Sequence, residues 1–337
     1  MSETPACTVI AEAGLNHNGS LEIAKQLVDV AAEAGVDVVK FQKRQVDVLA
    51  VESLLDAPDA RFPGLGRTYR EIRETLEFSK EEYLEIRDHC RARGVDFMCT
   101  AFDVESVEFL EEIGLETYKL ASHSLTNLPL LTHLAGKKKP VYLSTGMCLL
   151  EEIDQAVEVL RQGVEKLVLL HCVSAYPQPA EVSNLRMIDV LRNRYGLPVG
   201  YSGHEIGFLP TLAAVARGAV AVERHFTLDK AMEGFDHKIS LDPSELKAMV
   251  RDIRTIETTL GTGEKQISAI EWITRHKYHV SMVSRQSIPQ GTLITPEMVT
   301  YKNPGTGILP KDAQRIIGKV AARDIARDVL LELGMIR

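Results

Sequence analysis

The sequence predicts an α/β fold, a (β/α)₈ barrel followed by a small β-rich domain, and three observations carry that expectation. From the N-terminus to about Leu260, a short apolar run, a polar interruption and an amphipathic stretch closed by Gly recur in that order. Eight such apolar runs can be read, and strands alternating with helices imply right-handed βαβ units and a parallel sheet. Polar side chains collect at the last positions of the runs, where a barrel of this type presents its active site. A doubly wound open sheet is the alternative, but no Gly-rich fingerprint follows the first run.

The runs are VIAEAG (9–14), VDVVKFQ (36–42), VDFMCTAF (95–102), TYKLAS (117–122), VYLSTGM (141–147), KLVLLHCVS (166–174), LPVGYSGH (197–204) and AVAVERHFT (219–227). The first helix candidate, SLEIAKQLVDVAAEAG (20–35), opens on Ser20 as N-cap and stops at Gly35. SKEEYLEIRDHCRARG (79–94), LLEEIDQAVEVLRQG (149–163) and FLPTLAAVARG (208–218) repeat the pattern, and DPSELKAMVRDIRTIETTLG (242–261) follows the eighth run. The stretch from Lys43 to Phe78 is long for a βα connection and carries several arginines, as a lid or binding loop would.

After Gly261 the pattern changes. Residues 1–262 read as the barrel, 263–279 as a linker with some helical character, and 280–337 as a compact accessory domain. There SIPQGTLITPEMV (287–299) and DIARDVLLELGMI (324–336) share one spacing, Ile288 to Met298 matching Ile325 to Met335, as in a duplicated unit.

Bulk properties narrow the function. A net charge of −8 argues against nucleic acid or an anionic membrane as the main partner. No apolar stretch is long enough to span a bilayer. MSETPACTVIAEAG lacks the basic and apolar regions of a signal peptide. Five cysteines without CxxC spacing read as free thiols, so a cytoplasmic location is expected.

The strand ends carry the chemistry. In order they offer Glu12; Lys40 and Gln42; Thr100; Lys119 and Ser122; Ser144 and Thr145; His171 and Ser174; Ser202 and His204; Glu223 and His225. Lys40 and Lys119 with Thr100, Ser122, Ser144 and Ser202 form a set of cations and hydroxyls, without acids, that suits a small doubly anionic ligand. No GxxxxGK[ST] loop is present, which excludes a P-loop nucleotide site. His204 and His225 end neighbouring runs and can share a divalent metal, leaving positions open for water and substrate oxygens. Glu12 and Glu223 are candidates for general acid–base work. Asp236 and His237 follow the eighth run in a covering loop, Tyr176 follows the sixth and can face a sugar-like ligand, and His17 and Asn18 shape the first loop. Arg224 points away from the site by strand alternation.

These residues sit in IAEAGLNHNGS, VKFQ, YREIRETLEFS, CTAFD, YKLAS, LSTGM, HCVSAYP, GYSGH and ERHFTLDK. That ordered string resembles sialic acid synthase, in the NeuB family of nonulosonic acid synthases, over nearly the entire chain. The C-terminal module, with NPGTGI (303–308) and GKVAARDI (318–325), resembles that family's antifreeze-like (SAF) domain. The resemblance implies condensation of phosphoenolpyruvate with an N-acylated amino-sugar aldehyde, phosphate leaving with C–O cleavage, in a metal-dependent, domain-swapped homodimer. It implies that Lys40, Thr100, Lys119, Ser122, Ser144 and Ser202 hold phosphoenolpyruvate and that His204 and His225 hold Mn²⁺ or Mg²⁺. Glu12 matches the family's catalytic glutamate; Lys40, Lys119 and His225 complete the implied catalytic set. Gln42, Tyr176, Glu223 and Asp236 match acceptor-side positions.

Three positions depart from the family pattern near the acceptor. Ser124 stands for an acid, Ser174 for the asparagine of the Y-P turn, and Asn303 for an arginine that reaches across the dimer; Arg285 is the alternative candidate for that arginine's role. The acceptor implied is N-acetylmannosamine, a 2,4-diacetamido-trideoxyhexose giving legionaminic or pseudaminic acid, or another modified sugar. A metal-dependent hydrolase would show HxH on the first strand and a metal-binding Asp on the last, and neither is present. A non-catalytic carbohydrate-binding or ice-binding protein would leave the paired lysines and histidines without a role.

Overall fold

The structure, a computed structural model, describes residues 6–337. It divides into two compact units, Met1–Gly261 and Thr262–Arg337. In the first, eight parallel strands close into a barrel in sequence order: β1 (Thr8–Gly14), β2 (Val38–Lys43), β3 (Asp96–Ala101), β4 (Tyr118–Leu120), β5 (Val141–Ser144), β6 (Leu167–Cys172), β7 (Val199–Gly203) and β8 (Ala221–His225). Both faces of these strands are covered, which is why they read as apolar runs rather than as alternation.

Crossovers are supplied by α1 (Leu21–Ala34); the excursion with α2 (Val46–Leu49), α3 (Glu52–Leu55), α4 (Tyr69–Thr75) and α5 (Lys80–Arg93); then α6 (Val104–Glu112), α7 (Leu128–Ala135), α8 (Leu150–Arg161), α9 (Met187–Tyr195) and α10 (Leu209–Ala216), with α11 (Pro243–Leu260) closing the ring. Local chemistry sets the ends. Ser20 accepts the Ile23 N–H, and Gly35 leaves α1 in a left-handed conformation (φ 81°). Capping boxes open α5 at Ser79/Glu82 and α11 at Asp242/Glu245. Helices α6, α7 and α9 were not singled out by their periodicity: at eight or nine residues an apolar stripe barely repeats.

The main core lies between the outward faces of the strands and the helices. Inside the barrel the lower layers are apolar too. Ile10, Val38 and Met98 pack against Tyr142 from one side, and Val168, Leu170 and Ala221 from the other. The next inward layer changes abruptly to charged and hydroxyl side chains. Arg224, one residue out of phase, points into the outer core as alternation requires and is 1% exposed. Its guanidinium donates to Glu205 Oε1 (2.8 Å), the Glu205 carbonyl (2.6 Å) and the Gly207 carbonyl (2.7 Å).

The second unit holds α12 (Ala269–Tyr278), inside the stretch expected as linker, and one antiparallel pair, β9 (Ser281–Ser284) with β10 (Val299–Lys302). Its two similar segments face each other. Ile288 and Ile325 exchange both backbone hydrogen bonds (2.8 and 2.9 Å), and Gly291 N–H to Ala321 O is matched by Asp328 N–H to Ser284 O. Their apolar positions, Ile288, Ile325 and Met335, share one core. Regular strand is short here; isolated bridges and 3₁₀ turns supply the rest. Among the described residues no helix is long and apolar enough to cross a membrane, and Cys7, Cys90, Cys99, Cys148 and Cys172 are free.

Removing Glu205 would leave the Arg224 charge buried without its partner. Glu205→Ala is expected to destabilise the barrel by about 3–5 kcal/mol in urea denaturation, and a loss below about 1 kcal/mol would contradict the assignment of Arg224 as a structural cation.

Candidate active site

A cavity of about 430 Å³ opens at the C-terminal ends of the strands. Register builds its floor. On β1, Glu12 lies opposite Lys40 of β2 and opposite His225 of β8. Thr100 lies opposite Lys119, and Ser202 opposite Glu223. The inward faces of six strands therefore converge on one charged and hydroxyl-bearing layer.

Lys40 Nζ is 2.5 Å from Glu12 Oε2 and donates to Thr100 Oγ1 (2.9 Å). Gln42 Nε2 donates to Glu12 Oε1 (2.6 Å). Glu223 lies between the two amines, 3.4 Å from Lys119 Nζ and 3.8 Å from Lys40 Nζ, and accepts from Ser202 Oγ (3.1 Å). The expectation of an anion set without acids is thus corrected: two lysines face two glutamates in a formally neutral cluster. The reason is solvation, since a lone buried ammonium costs several kcal/mol unless paired.

The protonation states follow from that balance. Burial opposes the charge on Lys40, but Glu12 and Glu223 outweigh it and raise its pKa. At Lys119 burial wins over the attraction of Glu223 and lowers the pKa. Burial also opposes ionisation of Glu223, yet Lys119 and Lys40 bring its carboxyl down to about 2. The cluster is not saturated: Ser144 Oγ and Glu223 Oε2 are buried without a hydrogen-bond partner. Ser122 Oγ accepts from the Gly146 N–H (2.8 Å) and lines the same floor.

One layer further out, His204 and His225 face each other with ring centroids 5.6 Å apart. His204 Nδ1 lies 3.0 Å from the Val173 carbonyl; a carbonyl only accepts, so Nδ1 carries the proton and Nε2 presents its lone pair. Burial, reinforced by His225, lowers the His204 pKa to about 3, which keeps the ring in the ligand form. His225 Nδ1 is buried without a hydrogen-bond partner, with Asp236 Oδ2 3.7 Å away. Among the described residues no group of three or more His, Cys, Asp or Glu side chains is placed to hold a metal ion. With His204 Nε2 presenting its lone pair and His225 Nδ1 unpartnered, the two imidazoles fit a divalent ion that would take its remaining ligands from water or substrate. Tyr176 packs on His204 at 4.0 Å between centroids and lines the cavity, as does Ser174.

The first and last loops are tied together over this rim. Asn16 Nδ2 donates to the Phe226 carbonyl (2.7 Å) and to Ser240 Oγ (2.9 Å), and Asn18 Nδ2 donates to the Glu233 carbonyl (2.8 Å). Between them Gly14 adopts φ 55°, and a Cβ there would meet Glu12 Oε1 at 3.2 Å and His225 Cε1 at 3.4 Å. These ties hold Phe235 and Asp236 on the cavity wall.

One expected acceptor position does not line the cavity. Ser124 is buried beneath it, its Oγ 3.1 Å from His123 Nδ1. Asn303 belongs to the second unit, where its Nδ2 donates to the Tyr278 carbonyl (2.7 Å). His171 faces outward and its Nε2 lies 2.8 Å from the Ser183 carbonyl, so Cys172 takes the inward place on β6. Sequence reasoning missed Arg44, Phe102, Cys172 and Arg73 as lining residues. Two-residue alternation from Gln42 and Thr100 points to Arg44 and Phe102; Arg73 lies on α4, in the excursion, where no strand period applies.

The model of the NeuB family matches residues 27–265, and that of the SAF domain matches residues 279–337. The chain belongs to the NeuB family. Its relatives include the N,N'-diacetyllegionaminic acid synthase of Legionella pneumophila, 39% identical over 96% of this chain and 93% of that protein. The human N-acetylneuraminate-9-phosphate synthase is 36% identical over 96% of this chain and 90% of its own length. Among solved structures, the N-acetylneuraminic acid synthetase of Leptospira borgpetersenii superposes with a TM-score of 0.71 at 34% identity, covering 80% of this chain and 90% of that one. This NeuB-family chain thus shares its family with synthases whose names specify different sugar acids.

The site also predicts an acid response. His17 is buried, its Nδ1 accepts the Gly19 N–H (3.0 Å), and burial, reinforced by Arg44, lowers its pKa from 6.5 to about 3. The unfolded chain then binds a proton that the folded chain refuses. Stability from this group is complete above pH 6.5 and falls as pH drops towards 3, by about 1.4 kcal/mol per pH unit. His17→Asn should flatten the fall of the urea midpoint between pH 6 and 4 by that amount; an unchanged slope would contradict a neutral buried His17.

Proposed function

We propose that the chain is a nonulosonic acid synthase: it condenses phosphoenolpyruvate with an N-acylated amino-sugar aldehyde, forming a carbon–carbon bond and releasing phosphate. One observation carries the reading. Two buried lysines and four hydroxyl side chains, from Thr100, Ser122, Ser144 and Ser202, line the closed end of a cavity whose next layer holds two imidazoles. A small polyanion is the ligand that can compete with Glu12 and Glu223 for both amines.

In this mechanism Lys40 with Thr100, and Lys119 with Ser122, Ser144 and Ser202, receive the carboxylate and phosphate of phosphoenolpyruvate. His204 and His225 would hold Mn²⁺ or Mg²⁺, which supplies Lewis-acid polarisation of the acceptor aldehyde. C3 of phosphoenolpyruvate attacks the aldehyde carbon, and positive charge develops at C2. Glu12, ion-paired with Lys40 until the anion takes that amine, accepts a proton as water adds at C2 and returns it to the alkoxide formed from the aldehyde oxygen. The C2–O bond to phosphate then breaks, the C2 hydroxyl proton leaves with the phosphate, and the keto acid remains. The lysines offset the charge gathered on the departing phosphate. Gln42, Tyr176, Glu223 and Asp236 position the acceptor, with Ser174 beside them. The resemblance also supports a cytoplasmic homodimer in which Asn303 serves the partner's site. Ile270, Trp272 and Ile273 on α12, exposed in the single chain, agree with such pairing.

The test is phosphate release from phosphoenolpyruvate with Mn²⁺ and a panel of N-acylated amino-hexoses. At least one sugar should release phosphate, and ¹⁸O in the bridging position should leave with it. Release with none of the panel, or label retained in the sugar acid, would sink the reading.

Metal dependence is tested separately. Chelation should abolish turnover until Mn²⁺ or Mg²⁺ is restored, and His225→Ala should lower kcat by about 100-fold or more. Full activity after exhaustive chelation would remove the metal from the proposal.

A further inference from the structure

The floor and the imidazole layer leave the outer half of the cavity without an assigned ligand group, and two arginines face it. Lys40, Gln42 and Arg44 follow one another at two-residue spacing, Arg44 just past the end of β2, so it stands above the floor by roughly 13 Å of extended chain. It is 7% exposed. Its guanidinium lies 3.7 Å over the Phe102 ring and donates through Nη2 to Gln42 Oε1 (2.5 Å), a neutral acceptor. Arg44 Nη1 is buried and has no partner. Arg73, from α4, sits 4.5 Å from the Phe235 ring centroid, and its Nε and Nη1 are also buried and unpartnered.

The other arginines of the same excursion are different. Arg61 pairs with Asp59, Arg67 with Glu71, and Arg70 with Asp47 and Asp56. Among the described residues, Arg44 and Arg73 alone in this segment have no carboxylate at ion-pair distance. The nearby Glu77 is committed elsewhere, to Lys43 Nζ (2.6 Å) and the Arg44 backbone N–H. Asp236 also lines the cavity, but its nearest ionic neighbour is His225. Two like charges in a half-enclosed space, with three idle donors, are an unfavourable arrangement for an empty protein. Burial and the neighbouring Arg73 already lower the Arg44 pKa to about 10. Planar guanidinium forks match a phosphate or a carboxylate bidentately.

We infer that the acceptor sugar carries an anionic group, a phosphate ester or a carboxylate, at the end of its carbon chain remote from the aldehyde, and that Arg44 and Arg73 receive it. The inference rests on the synthase reading of the cavity. It adds a specificity that the floor residues do not determine, because the aldehyde end lies at the imidazoles and the remote end points outward to the arginines.

The test compares kcat/KM for four acceptors in the presence of phosphoenolpyruvate and Mn²⁺, following phosphoenolpyruvate consumption. They are N-acetylmannosamine, its 6-phosphate, the matching 6-carboxylate, and a 2,4-diacetamido-2,4,6-trideoxyhexose, which has no oxygen at C6. One of the two anionic sugars should exceed both neutral ones by on the order of 10- to 100-fold, mainly through KM; which one leads identifies phosphate or carboxylate. Arg73→Met should bring the ratio of anionic to neutral kcat/KM towards one, and Arg73→Lys should restore part of it. A neutral sugar as the best acceptor would overturn the inference and leave the synthase standing. So would a ratio unmoved in Arg73→Met, or a rise in KM confined to phosphoenolpyruvate. If no acceptor consumes phosphoenolpyruvate, the synthase reading fails and takes this inference with it.

Discussion

Four buried charges at the mouth of the barrel, Lys40 and Lys119 against Glu12 and Glu223, set the terms for the rest of the structure. Each is no more than 5% exposed, and none would be tolerated there alone. Their mutual pairing depends on strand register, because Glu12 meets Lys40 only while β1 and β2 keep their alignment. Slipping one strand by a residue would send its charge into the outer core. The apolar layers around Tyr142 below, and the ties between the first and last loops above, keep that register. The barrel thus presents ammonium groups held in place by carboxylates.

The same economy of position runs through β8. Glu223 and His225 face inward, one layer apart, while Arg224 between them is clamped in the outer core by Glu205. A strand that ends in three consecutive polar residues is unusual for a buried element. It is stable here because each side chain has a separate environment: an amine pair, an imidazole layer, and a buried carboxylate. The outer cavity wall is built differently, from loop side chains that stack, with Arg44 on Phe102 and Arg73 beside Phe235.

Much of this was legible in the sequence. The barrel, the strand ends and the capped helices followed from apolar runs, Ser20 and Gly35, because burial and capping leave local signatures. The paired segments around Ile288 and Ile325 were visible as one spacing repeated. The ion pairing of Glu12 and Glu223 with the lysines was not visible, since it depends on closure that brings β1, β2, β4 and β8 together. Ser124 was read as an acceptor residue because it occupies a family position, and the turn after β4 buries it instead. Arg73 lies on a short helix within a 36-residue excursion, 43–78, and no local period tells which of that segment's arginines faces the cavity.

The central claim is that the neutral four-charge cluster is a receptacle for a small polyanion. Calorimetric titration of the protein with phosphoenolpyruvate, without sugar, tests it most directly. The account predicts one bound molecule per chain and a loss of affinity of about 100-fold or more in Lys119→Met. Equal affinity in wild type and Lys119→Met, or no binding by the wild type, would contradict it.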